Sequence, residues 1–288
     1  MTQRKIAVVG NCTATMIANC LRALRPEDDI KPVSIGGAET TATQTFDAFD
    51  FVFAVANAGE FFTLDSLAGC GTFFTWPNVI FFGFQPDITY FAIDGRPVRS
   101  AMGEYSSHIV SIGYAKGLSP KDTERLFNRL VFARLGFFDK YTLSRAALIM
   151  AGERCGMDLS AAMICWERSG VFMHSINHPK VVVLADIAKA LLKNANLPFD
   201  PDLPLADIVP DVLANGGIWP VYPDLARTIG VAGSLTFTPP LRGCYDCECL
   251  SLEGFIEKTF AIYEADGFSR TMMREVAGIQ LMAGALAA

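Results

Sequence analysis

The chain has 288 residues, of which 51% are hydrophobic, so it can bury a large core. Its formal net charge of -6, with only 24 lysine and arginine residues, excludes a broad basic surface for a nucleic-acid backbone or an anionic membrane. Residues 1–5 lead straight into an apolar segment without the features of a signal peptide, so we expect a cytoplasmic protein with a small-molecule partner and with its 8 cysteines as reduced thiols.

Three apolar strands are predicted in the first part of the chain, at residues 5–10, 33–35 and 51–56. Residues 5–10 form a continuous apolar run ending in glycine, which is typical of a central parallel strand covered on both faces. Apolar residues recur at helical spacing from Met16 to Leu24, which predicts a helix between the first two strands. Each predicted strand is followed by loop residues.

The segment Ser66–Pro86 is rich in phenylalanine and has no charged residue. Its glycines and prolines divide it into pieces that are too short to cross a membrane as one helix. We therefore expect buried strands, with a fourth strand at Val79–Phe84 after a turn at residues 76–78.

Helices are predicted to dominate after about residue 100. Ser119 as N-cap, followed by Pro120, predicts a helix that runs to about Leu135. The pattern predicts a single α/β domain over residues 1–288, a mainly parallel sheet flanked by helices as in an SGNH or flavodoxin-like α/β/α sandwich, with helical additions. Further helices are predicted at residues 143–154, 159–167, 179–192 and 249–264, and a short apolar strand at residues 171–176.

Cys12 follows the first predicted strand by two residues and precedes a helix. Backbone N–H groups and the helix dipole favour a thiolate or another anion at such a place. Open α/β sheets bind ligands at the carboxyl ends of their strands, which favours a nucleophile or oxyanion role for Cys12 over simple packing under the sheet.

Histidine performs most acid–base catalysis near neutral pH, and the chain has 3 histidines. His178 precedes a proline at the mouth of a helix, where its imidazole is presented to a cleft, so we predict it as the catalytic base. His174 lies in a short strand and is expected in the core or beside the site, whereas His108 begins an apparent helix. A structural role for any one of them is the alternative.

Four residue types follow successive predicted elements in the order Cys12, Gly36 or Gly37, Asn57 and His178. This order resembles the Ser-Gly-Asn-His arrangement of SGNH hydrolases, with cysteine in place of serine. In that arrangement the first residue attacks, the N–H groups of the first two and the Asn side chain bind the oxyanion, and His moves the proton.

The residue that would orient His178 is absent from its usual place. SGNH enzymes have Asp three residues before the histidine, and Ser175 stands there in this chain. Glu167 and Asp87 are the candidates for that role. Hydrolysis by a standard triad is therefore not the first expectation.

Several longer segments resemble the WcbI-type family of capsular polysaccharide biosynthesis, and the resemblance covers most of the chain. It implies an α/β sandwich with added helices, bound coenzyme A, and transfer of an acetyl group to a capsule sugar. The most specific segment is His-Ser-Ile-Asn-His-Pro at residues 174–179, followed by Gly-Asn-Cys at residues 10–12. The other segments are residues 82–87, 105–110, 117–119 and 219–223.

The resemblance implies bound coenzyme A, whose phosphates need cations or helix N-termini as binding groups. Lys180 offers both at once, because it stands at the start of a predicted helix. The predicted cofactor-binding residues are Asn11, Thr13, Lys180, His174 and Lys116, with Arg96 and Arg99 as weaker candidates.

Cys244, Cys247 and Cys249 form a Cys-x-x-Cys-x-Cys cluster. A structural zinc site needs four ligands, and Cys155 or Cys165 would complete the set only if the fold brought them close. We therefore expect no metal.

The predicted function is acyl transfer from acetyl-CoA to a carbohydrate hydroxyl, with Cys12, Gly37 and Asn57 around the oxyanion and His178 as base. Two other functions stay open at this point. One is an SGNH-type esterase or thioesterase, and the other is a coenzyme A-binding or nucleotide-sugar-binding protein without catalysis.

Overall fold

The computed structural model describes residues 3–35, 46–58, 71–241 and 248–287. The chain divides into two compact units. The first unit consists of Met1–Ile80, Ala146–Phe172 and His178–Leu213, and the second of Phe81–Arg145, Met173–Asn177 and Ala214–Ala288. The single domain expected from the sequence stays a prediction.

The strands of the described residues are Lys5–Gly10 (β1), Asp29–Ser34 (β2), Phe51–Val55 (β3), Thr72–Trp76 (β4), Ile88–Thr89 (β5), Ala92–Ile93 (β6), Arg96–Pro97 (β7), Ser106–Ser107 (β8), Met173–Ser175 (β9) and His178–Pro179 (β10). The helices are Cys12–Leu24 (α1), His108–Lys116 (α2), Pro120–Glu124 (α3), Arg129–Arg134 (α4), Lys140–Arg154 (α5), Ser160–Arg168 (α6), Val181–Asn194 (α7), Leu205–Ile208 (α8), Pro223–Ile229 (α9), Leu252–Ala265 (α10), Arg270–Glu275 (α11) and Ala277–Ala287 (α12). Two 3₁₀ turns span Phe137–Asp139 and Val212–Gly216.

The first unit is built on a four-stranded sheet with the order β2-β1-β3-β4, in which all neighbours are parallel. The central strands β1 and β3 are almost fully buried, as expected for parallel strands. Helix α1 packs against α7, and α7 also contacts β4. The predicted α/β class is confirmed.

Helix α2 is the centre of the second unit. Residues 109–115 of this helix are all buried, and it contacts α3, α10, α11 and α12. A helix that is apolar on all sides is stable only when neighbours surround it. Gly113 allows α2 and α3 to pack closely, because a Cβ atom at this position would lie 2.3 Å from Oγ1 of Thr123 in α3.

The predicted fourth strand at Val79–Phe84 is wrong, because the strand lies before the turn, at β4, and residues 77–87 are irregular. Phe81 instead packs its ring at 5.4 Å from Tyr141 and donates its N–H to the carbonyl of Ile176. A side chain at Gly83 would come within 2.8 Å of the Tyr141 backbone. Packing of aromatic rings thus replaces a strand ladder here.

The single helix predicted from Ser119 to Leu135 is also wrong. It is divided into α3 and α4 by Asn128, whose Oδ1 accepts hydrogen bonds from the N–H groups of Leu130 and Val131. An Asn side chain that caps a new helix N-terminus stops the preceding helix. In the described part of the chain, none of the helices combines the length and the apolar character needed to cross a bilayer.

Candidate functional site

The strand order of the first unit creates a switch point at the carboxyl ends of β1 and β3. The chain passes from β1 to β2 on one side and then to β3 on the other side of β1. Ligands of open α/β sheets bind in the crevice at such a point. Cys12 follows β1 and Asn57 follows β3, so the structure places these two predicted residues at the same edge of the sheet.

Asn11 shapes the turn that carries Cys12. It is the N-cap of α1, and its Oδ1 accepts hydrogen bonds from the N–H of Thr13 at 3.1 Å and the hydroxyl of Thr13 at 2.8 Å. Thr13 is only 2% exposed. The structure thus gives Asn11 and Thr13 a capping role, and their contact with coenzyme A stays a prediction.

The Cys12 side chain is exposed, yet the atoms crowded around it reduce its solvation. This loss of solvation raises the pKa of the Cys12 thiol above its usual 9.0. The backbone N–H groups of Cys12 and Thr13 lower the same pKa by a smaller amount. The anion-stabilising N–H groups expected from the sequence are present, but burial is the larger effect. The thiol therefore keeps its proton at neutral pH.

Two further asparagine side chains follow the neighbouring strands. Asn57 is half-buried, and its Oδ1 is buried without a hydrogen-bond partner among the described residues. Asn78 follows β4, and its Oδ1 lies 3.5 Å from Nδ2 of Asn11. The sequence reasoning missed Asn78, although the Trp-Pro-Asn turn was itself a signal that a polar residue follows a strand.

His178 forms β10 and leads into α7, in the same unit as Cys12. Lys180 is the N-cap of α7 and uses its own N–H for the carbonyl of Phe172 at 2.9 Å. The N–H of Val181 donates to Oδ2 of Asp211 at 3.1 Å. A carboxylate therefore already occupies part of the helix N-terminus at which a phosphate was predicted.

The remaining predicted residues are distributed as follows. His174 is buried in β9 and Lys116 is exposed at the carboxyl end of α2, both in the second unit. Arg96 donates to the carbonyl of Asp266 at 2.7 Å and lies over the Phe268 ring. Cys249 is exposed. Within the described ranges, no group of three or more His, Cys, Asp or Glu residues is placed to hold a metal ion. Gly36, Gly37, Cys244 and Cys247 lie outside the described residues.

The motifs of residues 82–87, 105–110 and 219–223 meet in the second unit around Asp87, which is 0% exposed. Its Oδ1 accepts the N–H of Ile109 at 3.0 Å, and its Oδ2 accepts the hydroxyls of Ser107 and Tyr222. Burial raises the pKa of Asp87 from 3.8 to about 6, although these donors lower it. The Asp87 carboxylate thus helps to cap the N-terminus of α2.

A second set of hydrogen bonds involves Ser175 and Asn177, from the motif of residues 174–179. The Tyr105 hydroxyl donates to Oδ1 of Asn177, and the Ser175 hydroxyl donates to that of Tyr105 at 2.9 Å. Gln85 donates to the carbonyl of Trp219 at 3.3 Å. Within the second unit, the segments at residues 82–87, 105–110 and 219–223 and the residues Ser175 and Asn177 are therefore joined by hydrogen bonds.

Comparison with known proteins gives a consistent result. Residues 63–200 match the family model described as "Polysaccharide biosynthesis enzyme WcbI". The whole chain is similar to a solved WcbI structure with a TM-score of 0.67, 14% sequence identity and 99% of each chain covered. That protein is described as a novel polysaccharide biosynthesis enzyme, in its native form without a disulfide bond between coenzyme A and one of its cysteines. None of the curated proteins matches the chain in sequence.

The resemblance to the WcbI family is thus confirmed, over residues 63–200 by sequence and over 99% of the chain by fold.

Proposed function

We propose that the chain transfers an acetyl group from acetyl-CoA to a carbohydrate hydroxyl during polysaccharide biosynthesis. One observation carries this proposal: the exposed thiol of Cys12 stands at the switch point, with two backbone N–H groups near its sulfur and Asn57 after the adjacent strand. The matched family consists of polysaccharide biosynthesis enzymes, and the similar WcbI structure is described with reference to coenzyme A and a cysteine.

The proposed reaction uses Cys12, Gly37, Asn57 and His178. The N–H groups of Cys12 and Gly37 and the side-chain amide of Asn57 bind the carbonyl oxygen of the thioester. His178 accepts the proton of the sugar hydroxyl as its oxygen attacks the carbonyl carbon. The carbon–sulfur bond then breaks, and the thiolate of coenzyme A takes the proton from His178.

The raised pKa of Cys12 favours direct transfer over an acetylated enzyme, because a protonated thiol is a poor nucleophile. The measurement is the intact mass of the protein after mixing with acetyl-CoA. We expect no added acetyl group in the native protein. An acetyl adduct that disappears in Cys12→Ala and persists in Cys165→Ala, which removes another exposed thiol, would establish the two-step route instead.

Thermal unfolding with coenzyme A tests binding without any knowledge of the acceptor. A ligand at 100 times its dissociation constant adds about 2.7 kcal/mol of stability, so we expect a clear rise in Tm. An unchanged Tm at millimolar coenzyme A would contradict the proposal. Release of acetate from acetyl-CoA without any acceptor sugar would support a thioesterase in its place.

A further inference from the structure

A cavity of about 570 Å³ opens on the second unit, beside the loop that follows β5 and the junction of α11 with α12. Its walls include Tyr90, Phe91, Asp94, Glu275 and Ala277. This volume lies within the usual range for small-molecule sites. None of the residues assigned to acetyl transfer lines it.

Tyr90 is the aromatic lining residue on which a sugar would stack. Its side chain is 50% exposed, while its hydroxyl accepts a hydrogen bond from Nδ2 of Asn177 at 3.1 Å. Its ring centroid lies 5.4 Å from that of Tyr105, with the two ring planes tilted by 44°. An aromatic face carries partial negative charge and attracts the polarised C–H groups on one face of a sugar ring. The ring is thus ordered before any ligand binds.

Two carboxylates accompany the aromatic face. Asp94 stands with Gly95 in the two-residue turn of the β6–β7 hairpin, where both have positive φ, of 50° and 74°, as in a type I′ turn. Glu275 ends α11 on the other side. Carboxylate oxygens accept hydrogen bonds from sugar hydroxyls, and they repel phosphates and other carboxylates.

The charge of the cavity also excludes some ligands. Among the described residues that line it there is no lysine or arginine. Coenzyme A and nucleotide sugars carry several phosphate charges and need cations, so this cavity does not suit them. An uncharged ligand with many hydroxyl groups fits both the aromatic face and the two acceptors.

We propose that this cavity is a binding site for a short neutral oligosaccharide, with the Tyr90 ring stacked on one sugar and with Asp94 and Glu275 accepting its hydroxyl hydrogens. The site goes beyond acetyl transfer and does not require it. Binding is expected in the full chain without acetyl-CoA and in Cys12→Ala, so failure of the transfer proposal and failure of this one are distinguishable.

The first test is binding of the full-length protein to an array of neutral hexose oligomers and acidic uronate oligomers. We expect binding to neutral oligomers, at least tenfold weaker binding by Tyr90→Ala, and a smaller loss in Tyr90→Phe, which keeps the ring. Binding to no neutral oligomer, preference for the acidic ones, or an unchanged affinity in Tyr90→Ala would each overturn the proposal.

A second variant tests the cavity itself. Ala277 is exposed and lines it, so Ala277→Trp fills the space without disturbing a core. Gln280→Trp places the same side chain at an exposed position of the same helix that does not line the cavity. We expect Ala277→Trp to abolish oligosaccharide binding and Gln280→Trp to keep it, with both Tm values near that of the native chain. Equal binding by the two variants would place the ligand elsewhere.

Discussion

The structure bears on the predicted role of Lys180, which is to bind a phosphate of coenzyme A at the N-terminus of α7. The α7 N-terminus already receives the Asp211 carboxylate, so a phosphate of coenzyme A would depend more on the Lys180 ammonium group than on the backbone N–H groups. An anion that approached this helix end would also meet the negative charge of Asp211.

We predict that Lys180→Ala weakens coenzyme A binding at least about tenfold, since a hydrogen bond to a charged group contributes about 1.5–3 kcal/mol. Lys193→Ala is the matched control, because Lys193 is exposed in the last turn of the same helix. Isothermal titration with coenzyme A measures both. Equal affinities of the two variants would remove Lys180 from the site.

At the scale of elements, the N-terminus of α1 depends on one side chain. Asn11 satisfies the N–H and the hydroxyl of Thr13, which otherwise lose their partner. We predict that Asn11→Ala lowers the free energy of unfolding by about 1 kcal/mol in urea denaturation. Asn19→Ala, on the same helix with an exposed bond to Arg22, is expected to change it far less. A larger effect at Asn19 would contradict this assignment.

The end of β1 depends on the absence of a side chain at Gly10. A Cβ atom there would lie 2.9 Å from Cζ2 of Trp76 and 3.2 Å from Cβ of Ala14. Because the Trp76 ring is 0% exposed and has no room to move, we predict that Gly10→Val destabilises the chain by about 1–3 kcal/mol in urea denaturation.

Gly284→Ala is the control for this substitution. Nothing lies within 4 Å of a Cβ atom at Gly284, which is in the exposed part of α12. Alanine has the higher helix propensity, so the free energy of unfolding should rise by up to about 1 kcal/mol. A loss of stability at Gly284 similar to that at Gly10 would refute the steric explanation.

Local sequence patterns predicted β1, α1, β3, α6 and α7 because burial and helical periodicity are properties of neighbouring residues. The prediction of a strand at Val79–Phe84 was wrong because a buried apolar segment has the same sequence pattern in a strand and in an irregular segment that packs through its aromatic rings. Its partners, Ile176 and Tyr141, lie far along the chain.

The site was predictable in part for the same reason. Cys12 and Asn57 follow clear strands, whereas the bond between Asn11 and Asn78 and the bond between Val181 and Asp211 join residues at least 30 positions apart. A local pattern does not contain such contacts.

At the scale of the whole molecule, stability should depend on pH through Asp87. The folded chain holds this proton up to about pH 6, whereas the unfolded chain releases it near 3.8. At Asp87 the folded state therefore binds more protons between these values, which lowers the free energy of unfolding as the pH rises through them. This contribution of Asp87 is on the order of 3 kcal/mol. Burial lowers the pKa of His108 from 6.5 to about 4, which acts in the opposite direction over the same range.

Urea denaturation between pH 4 and pH 7 measures the pH profile of the free energy of unfolding. We predict that this free energy rises more steeply with pH in Asp87→Asn than in the native chain, because the variant loses the opposing contribution of Asp87. Asp202→Asn, which changes an exposed carboxylate, should follow the native profile. Parallel pH profiles for the native chain and Asp87→Asn would show that another group is responsible.

Cys12 and Asn57 both precede residue 63, where the match to the family model begins. The matched stretch instead contains Asp87, Tyr105 and Asn177 of the second unit, together with the proposed base His178. A match to that stretch therefore does not report which residue stands at the position of Cys12. Whether a relative carries a thiol after its first strand must be read from the segment that corresponds to residues 10–12.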